Sequence, residues 1–213
     1  MARTNAKKTQ PRKKPRSINP GRTVASIAAE TPAQPTTYVS PVLQSRLPAI
    51  SWYEFVSTGF FSGYLPKAPG TWGSLLAVLL FSITAKLLPN DGLWRIASLT
   101  VSWWALLLGV ATTAIGIYAS GILAQEWREE DPGEVVIDEF AGIFFAVSLV
   151  TPDFIGLAAA FAFFRLFDVW KPGPIHSLQD MPGGYGIVLD DVLAGLAAAP
   201  AALGVQYLAQ IFL

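Results

Sequence analysis

Long uncharged stretches in the second half of the chain predict helices that cross a membrane. No charged residue lies between Ile96 and Gln125, a run of thirty positions. At about 1.5 Å per residue, a helix of this length exceeds a hydrocarbon core of about 30 Å. The last twenty-two residues, Val192 to Leu213, are also uncharged. We therefore expect one membrane-spanning helix in each run.

A third apolar helix is expected from about Trp72 to Leu88. It follows a loop at 65–74 whose prolines and glycines argue against helix, and Gly70 or Thr71 can cap its start. Free backbone N–H groups there, with Lys67 nearby, suit an anion such as phosphate. The alternative is a plain loop and cap. The phosphate-binding pattern GxxxxGK[ST] is absent.

Two shorter apolar runs, 140–150 and 154–164, cannot span a bilayer alone. The pattern leaves open whether they cross it, form a re-entrant pair or pack in a partly soluble bundle. The apolar runs are long and rich in Ala, Leu and Gly, and none alternates as a strand does. The sequence therefore predicts an all-α fold, a membrane-associated bundle of five or six helices with a carboxylate-lined cleft at the cytoplasmic face.

Composition supports a membrane protein with a separate basic extension. Apolar residues make up 52% of the chain and charged residues 14%, against about 25% in soluble domains. Residues 1–46 carry nine Lys or Arg and one acid, whereas the rest carries six basic and fourteen acidic residues. We predict a disordered extension at 1–48 and a membrane domain at 49–213. The extension can contact anionic lipid, act as a transit peptide or have no role, and no nucleic-acid partner is expected.

The chain has no cysteine and a single histidine, His176. Disulfides, thiolate zinc sites and cysteine or paired-histidine phosphatase mechanisms are therefore excluded. His176 has no sequence partner for metal binding, so an interfacial role is expected for it.

An acidic segment abuts the apolar run that begins at Phe140. It places Asp131, Glu134, Asp138 and Glu139 within nine residues. If 134–140 is helical, Glu134 and Asp138 share a face, with Glu139 beside them. Like charges on one face favour a cation, and Mg²⁺ takes oxygen ligands. The alternative is a solvated acidic helix start, which the helix dipole favours.

Two further charged groups lie beside apolar segments. Arg165, Asp168 and Lys171 are spaced by three and would line up on one helix face before a proline ends the helix. Asp190 and Asp191 precede the last uncharged run. Charges at such places are candidate functional groups. The alternatives are an interfacial salt-bridge network and an N-cap.

Four motifs together resemble the phosphatidylglycerophosphatase A family. They are LPKAPGTWGSL (65–75), DPGEVVIDEFAG (131–142), FFRLFDVWKPGPI (163–175) and PGGYGIVLDDVLAG (182–195). The resemblance covers about residues 52–213, with Val188 where Met is expected. It implies an Mg²⁺-dependent lipid phosphatase of phospholipid biosynthesis that converts phosphatidylglycerol phosphate to phosphatidylglycerol. Its place would be the bacterial cytoplasmic (inner) membrane, with the active site facing the cytoplasm.

The residues and the resemblance combine into one hypothesis for the site. Six carboxylates are expected to surround one or two Mg²⁺ ions that activate water: Glu134, Asp138, Glu139, Asp168, Asp190 and Asp191. Five residues are expected to hold phosphate oxygens: Lys67, Gly70, Thr71, Arg165 and Lys171. Asp138 or Asp168 would accept the proton of the attacking water, and together with Lys171 they are the catalytic candidates.

Two other classes of protein are compatible with parts of the pattern. A membrane ion transporter would use the acids and Arg165 as an ion path, although the charges gather near helix ends. A lipid-bound scaffold would use the basic extension and leave the acids unexplained. The pattern DxDx[TV] of aspartyl-nucleophile phosphatases is absent. The oligomeric state is not predicted.

Overall fold

The computed structural model describes residues 50–88, 93–96 and 99–212. The basic extension predicted for 1–48 lies outside these residues. The described chain forms seven α-helices, two 3-10 helices at Ser62–Tyr64 and Val147–Leu149, and one two-stranded ribbon. The α-helices are α1 Trp52–Ser57, α2 Pro69–Leu87, α3 Trp103–Trp127, α4 Ile137–Ala146, α5 Phe154–Trp170, α6 Pro174–Leu178 and α7 Gly184–Phe212.

The predicted all-α class is confirmed, with the ribbon as a small addition. Strand β1 (Leu93–Ile96) pairs antiparallel with β2 (Leu99–Ser102), so that Leu93 lies opposite Ser102 and Ile96 opposite Leu99. The uncharged run that begins at Ile96 therefore does not form one helix. Ile96 ends β1 and residues 99–102 form β2, and α3 begins only at Trp103, where the Ser102 side chain accepts a hydrogen bond from the Ala105 N–H at 3.3 Å. The prediction of a helix over the whole run was wrong at its start.

Helix α4 lies at the centre of the bundle. Nine of its ten residues are buried, and Asp138 alone among them is partly exposed. Helices α2, α3 and α7 pack around it, and α5 packs on α7. A helix that is apolar on nearly all sides must be buried in protein or lipid. At ten residues it is too short to span a bilayer, so the other helices bury it.

Three helices, α2, α3 and α7, are long and apolar enough to cross a membrane, judged by length and composition. Each carries large exposed apolar side chains, among them Leu79 on α2, Val110 on α3 and Phe212 on α7. Exposed apolar side chains on long helices fit a hydrocarbon environment. The membrane association expected from the sequence is therefore supported, with α2 added to the two expected spans.

The observed starts of α2 and α7 differ from the predicted ones. Helix α2 begins at Pro69, because proline at the first helical position removes an N–H that would be unpaired anyway. Its N-cap is Ala68, so neither Gly70 nor Thr71 caps it. Helix α7 begins at Gly184 and therefore contains the aspartate pair in its second turn.

Helix α4 also begins later than expected. The sequence suggested helix from Glu134, but the first helical residue is Ile137. The Val135 N–H donates to the Pro132 carbonyl at 2.9 Å, and the Val136 N–H donates to the Ser57 carbonyl at 2.9 Å. These bonds hold residues 134–136 in a turn against α1. Glu134 consequently does not share a helix face with Asp138.

Glycines allow α4 and α7 to approach each other closely. A Cβ at Gly142 would meet the Phe164 ring and the Asp191 carbonyl oxygen, and a Cβ at Gly195 would meet the Gly142 carbonyl oxygen. Any larger residue at these two positions would push the helices apart. This contact places the first turn of α4 beside the second turn of α7.

A buried glutamine fixes the other end of the bundle. Gln206 of α7 is only 3% exposed. Its Nε2 donates to the Thr151 carbonyl at 3.1 Å and to Asp153 Oδ2 at 2.7 Å, and its Oε1 accepts from the Thr151 N–H at 3.0 Å. Asp153 also caps α5 by accepting from the Gly156 N–H at 2.8 Å. The start of α5 is thereby tied to the last turns of α7, so the two helices run antiparallel.

Substitution of Gly142 tests this packing. Gly142→Ala is expected to lower the free energy of unfolding by about 1–3 kcal/mol, because the added methyl group overlaps Phe164 and the α7 backbone. Gly204→Ala on α7 is the control, since a Cβ there meets nothing within 4 Å. It should raise stability by about 0.5–1 kcal/mol through helix propensity. Thermal unfolding in detergent measures both, and equal effects of the two substitutions would refute the close-packing argument.

Candidate active site

A cavity of about 970 Å³ lies at one end of the bundle. Its walls come from the last turns of α3 and α5, the segment before α4, the first turn of α4, and the first turns of α7. Charged residues dominate them. Nine acids and two bases line the cavity: Glu129, Glu130, Asp131, Asp138, Glu139, Asp168, Asp180, Asp190, Asp191, Arg128 and Lys171.

Three of these acids converge on a single point. Asp138 and Glu139 of α4 and Asp191 of α7 each offer a carboxylate oxygen, and these oxygens lie within 4.8 Å of one another. Glu139 and Asp191 are 8% and 3% exposed. The contact of α4 with α7 at Gly142 holds the two helices at this distance. The fold therefore holds three carboxyl groups together in a mostly buried place.

Some of the buried carboxylate oxygens have no hydrogen-bond partner. These are Asp138 Oδ1, Glu139 Oε2 and, next to the three converging acids, Asp190 Oδ1. Buried polar atoms almost always have a hydrogen-bond partner, so unpaired ones at a cavity wall indicate a binding site for a ligand. Hard divalent cations such as Mg²⁺ take carboxylate oxygens as ligands. The donor set therefore fits such a cation.

Burial raises the pKa of Asp138 and Glu139, and a bound cation would lower it again. Burial raises the pKa of Glu139 from 4.5 to about 8, against smaller opposing effects of its hydrogen bond with Asp138 and of Arg165. Burial, followed by repulsion from Glu139, also raises the pKa of Asp138 well above its ordinary value. A nearby positive charge favours the ionised form of a carboxylate. Cation binding and proton release should therefore be coupled here.

Two cations from the end of α5 face these acids. Arg165 Nη1 lies 2.7 Å from Asp168 Oδ2 and 3.7 Å from Glu139 Oε1. Lys171 Nζ lies 2.5 Å from Asp190 Oδ2 and 3.8 Å from Asp168 Oδ1. Asp168 thus bridges both cations, as the spacing of three residues predicts. Burial alone lowers the pKa of Lys171, but the hydrogen bond and attraction from Asp190 raise it above its ordinary value.

The start of α2 touches this group from the other side. A Cβ at Gly70 would overlap Glu139 Oε1 and come within 3.2 Å of Arg165 Nη1, so a larger residue there would displace the Glu139 carboxylate. Lys67 and Thr71 are not among the residues that line the cavity. Lys67 is exposed, with a left-handed backbone (φ +77°).

The structure thus brings together most of the candidates chosen from the sequence. Six of them line the cavity: Asp138, Glu139, Asp168, Lys171, Asp190 and Asp191. Arg165 and Gly70 do not line the cavity, but both lie against Glu139. Glu134 is not among the lining residues, although its neighbours Gly133 and Val135 are, and its carbonyl oxygen lies against Gly63.

Sequence reasoning missed several charged residues of the cavity mouth. Arg128, Glu129, Glu130 and Asp180 were not selected, and Asp131 was noted only as part of the acidic segment. The signal that could have found the first three is the sudden charge density of 128–131 at the end of an uncharged helix. Helix ends beside a bilayer lie at headgroup level, where substrate charges are.

A family model described as phosphatidylglycerophosphatase A matches residues 55–206. The chain belongs to the phosphatidylglycerophosphatase A family. The matched range includes all four motifs and every helix except the first residues of α1 and the last turns of α7. The family resemblance inferred from the motifs is confirmed.

Relatives of the family from three bacteria match most of the chain. A putative phosphatidylinositol-3-phosphatase of Bacteroides thetaiotaomicron is 40% identical over 146 residues, which is 66% of this chain and 85% of that protein. The phosphatidylglycerophosphatase A of Escherichia coli is 36% identical over 160 residues (74% and 86%). That of Haemophilus influenzae is 33% identical over 154 residues (71% and 87%). No solved structure matches the chain significantly.

The raised pKa of Glu139 predicts how stability depends on pH without a cation. Between its ordinary value of 4.5 and about 8, the folded protein keeps a proton that the unfolded chain has lost. Stability in EDTA should therefore fall as pH rises from about 5 to 8. Glu139→Gln should flatten this slope, because the amide does not titrate.

Denaturant unfolding in detergent at several pH values measures the effect. Glu130→Gln is the control, since Glu130 is an exposed acid at the mouth of the same cavity. It should keep the slope of the unsubstituted protein. Equal slopes for Glu139→Gln and the unsubstituted protein would show that Glu139 is ionised in the folded state without a cation.

Proposed function

We propose that this protein hydrolyses the terminal phosphomonoester of phosphatidylglycerol phosphate, giving phosphatidylglycerol and inorganic phosphate, at the acidic cavity. One observation carries the proposal. The three converging carboxylates of Asp138, Glu139 and Asp191 lie beside the ion-paired Arg165 and Lys171, at the end of helices long enough to span a membrane. Relatives named phosphatidylglycerophosphatase A share this chain's family.

Mg²⁺ is the proposed cofactor. Asp138, Glu139 and Asp191 would hold it, and the unpartnered Asp190 Oδ1 lies next to them. When bound, the cation would neutralise charge on the phosphate and lower the pKa of water. Its preference for oxygen ligands matches a described cluster that contains neither His nor Cys.

The side chains of α5 would hold the phosphate. Arg165 and Lys171 are each anchored to carboxylates, which fixes their position before substrate arrives. A preorganised cation stabilises developing charge without reorganisation during the reaction. Asp168 forms ion pairs with both cations, so its proposed role is to position them.

The proton of the attacking water needs an acceptor in the cavity. Both oxygens of Asp168 are ion-paired, whereas Asp138 would bind the cation through one oxygen and could take a proton on the other. Of the two candidates, Asp138 is therefore the better base. The water oxygen bonds to phosphorus, the bond from phosphorus to the glycerol oxygen breaks, and the proton taken by Asp138 can pass to that leaving oxygen.

A second substrate is favoured by one specific relative. The protein of Bacteroides thetaiotaomicron with 40% identity is named a putative phosphatidylinositol-3-phosphatase. Its named substrate and phosphatidylglycerol phosphate are both membrane lipids that carry a phosphomonoester beyond a phosphodiester. Inositol 3-phosphate lipid is therefore the alternative substrate to be compared directly.

The proposed location is the bacterial cytoplasmic membrane, with the cavity facing the cytoplasm. Tyr53 Oη donates to Glu126 Oε2 at 2.5 Å, so the start of the described fold lies beside the cavity end of α3. Lys67 and Arg128 flank α2 and α3 at this end. Positively charged segments flanking spans remain in the cytoplasm.

Activity assays test the proposed reaction. Phosphate release from phosphatidylglycerol phosphate in detergent should require Mg²⁺ and stop with EDTA. Asp138→Asn and Asp191→Asn should each lower kcat by about 10³-fold, because they remove a base and a cation ligand. Glu54→Gln, outside the cavity, should retain activity.

The outcomes separate the alternatives. Release from phosphatidylinositol 3-phosphate alone would assign the second substrate, and release that EDTA leaves intact would reject the metal. An absence of release from either lipid would favour a transporter or scaffold. Full activity in both aspartate variants would reject the proposed site.

Cysteine labelling tests the orientation, since the chain has no native cysteine. Glu130→Cys at the cavity mouth should react with a membrane-impermeant maleimide in inside-out vesicles. Gln210→Cys, exposed in the last turn of α7, should react in right-side-out cells. The reverse pattern would place the cavity on the outer face.

A further inference from the structure

The two cations that line the cavity differ in how they are held. Lys171 is half-buried and paired with Asp168 and Asp190. Arg128 is exposed, and no ion pair is found for it within the described residues. It lies at the mouth, directly after the last residue of α3. Its guanidinium is therefore available to a ligand that enters the cavity.

A positive charge at the C-terminus of α3 suits the helix dipole, but the backbone conformation at Arg128 favours glycine. Arg128 is the C-cap of α3 in a left-handed conformation (φ 57°), where glycine is the favoured residue. Its backbone N–H donates to the Ala124 carbonyl, a bond that glycine would also make. Non-glycine residues held in such conformations cluster at functional sites. The side chain is thus the part of Arg128 that needs an explanation.

The position of Arg128 matches the depth of a lipid headgroup. Helix α3 is long and apolar enough to span a membrane, and its last residue, Trp127, is of a type enriched at the membrane interface. A phosphodiester of a membrane lipid lies at this level. The nine acids of the cavity would repel that phosphodiester unless a cation met it at the mouth.

We propose that Arg128 is a specificity-determining residue that binds the phosphodiester of the lipid substrate. Arg165 and Lys171 then hold the phosphomonoester further inside. The inference rests on the proposed function, whose substrate carries both groups on one glycerol. A cavity of about 970 Å³ has room for such a headgroup. The planar guanidinium matches two phosphate oxygens at once.

The test uses the full chain in mixed micelles with Mg²⁺ and compares Arg128→Gly with Arg128→Lys. Arg128→Gly should raise the KM for phosphatidylglycerol phosphate about tenfold, with a smaller change in kcat. Phosphatidylglycerol, which keeps the diester and lacks the monoester, should inhibit about tenfold less well. Inhibition by inorganic phosphate should not change. Arg128→Lys should lie between the two.

Two controls separate recognition from structure. Glycine suits the left-handed backbone, so Arg128→Gly should unfold at the same temperature as the unsubstituted protein or higher. Lys86→Gln removes one exposed positive charge at the opposite end of α2 and should leave all these constants unchanged.

Several results would overturn the inference while leaving the proposed function intact. They are an unchanged KM in Arg128→Gly, equal weakening of inhibition by phosphatidylglycerol and inorganic phosphate, and a failure of phosphatidylglycerol to inhibit the unsubstituted enzyme. The proposed function itself fails only if the unsubstituted protein releases no phosphate from phosphatidylglycerol phosphate.

Discussion

The close approach of α4 and α7 is the constraint on which the site depends. Gly142 and Gly195 let the two backbones touch, and a side chain at either position would separate them. This contact brings Asp138 and Glu139 of one helix against Asp191 of the other. Like charges in a buried place repel, so packing energy elsewhere must hold them together. The apolar burial of nearly all of α4 supplies that energy.

The cations near the end of α5 stabilise the cluster of acids by forming ion pairs with it. Arg165 and Lys171 offset part of the negative charge, and Asp168 keeps both in position. Removing one partner of a buried pair usually costs more than the pair contributes. The Gln206 contacts with Thr151 and Asp153 fix the far end of α5, so this helix cannot slide along α7. The contacts of Gln206, remote from the cavity, thereby help to fix the position of Lys171 along the cavity wall.

The grouping of the charged side chains followed from the sequence more closely than the bounds of the elements that carry them. The spacing of Arg165, Asp168 and Lys171 follows from helix geometry alone and needs no tertiary information. The start of α4 at Ile137, after Glu134, goes with a hydrogen bond from Val136 to Ser57, seventy-nine positions earlier in the chain, and no local pattern reveals it. The ribbon before Trp103 likewise depends on pairing with Leu93–Ile96, which an uncharged run does not show.

The short central helix explains how a lipid and water can meet in one protein. A bundle made only of spanning helices would bury its core in hydrocarbon, where hydrolysis lacks water. Helix α4 begins at the cavity and is too short to span a bilayer, so its first turn places Asp138 and Glu139 at the end of the bundle where the long apolar helix α3 ends. The acyl chains of a substrate can then remain in the bilayer while its phosphate enters the cavity. In this fold, the length of α4 is therefore a functional property as much as a structural one.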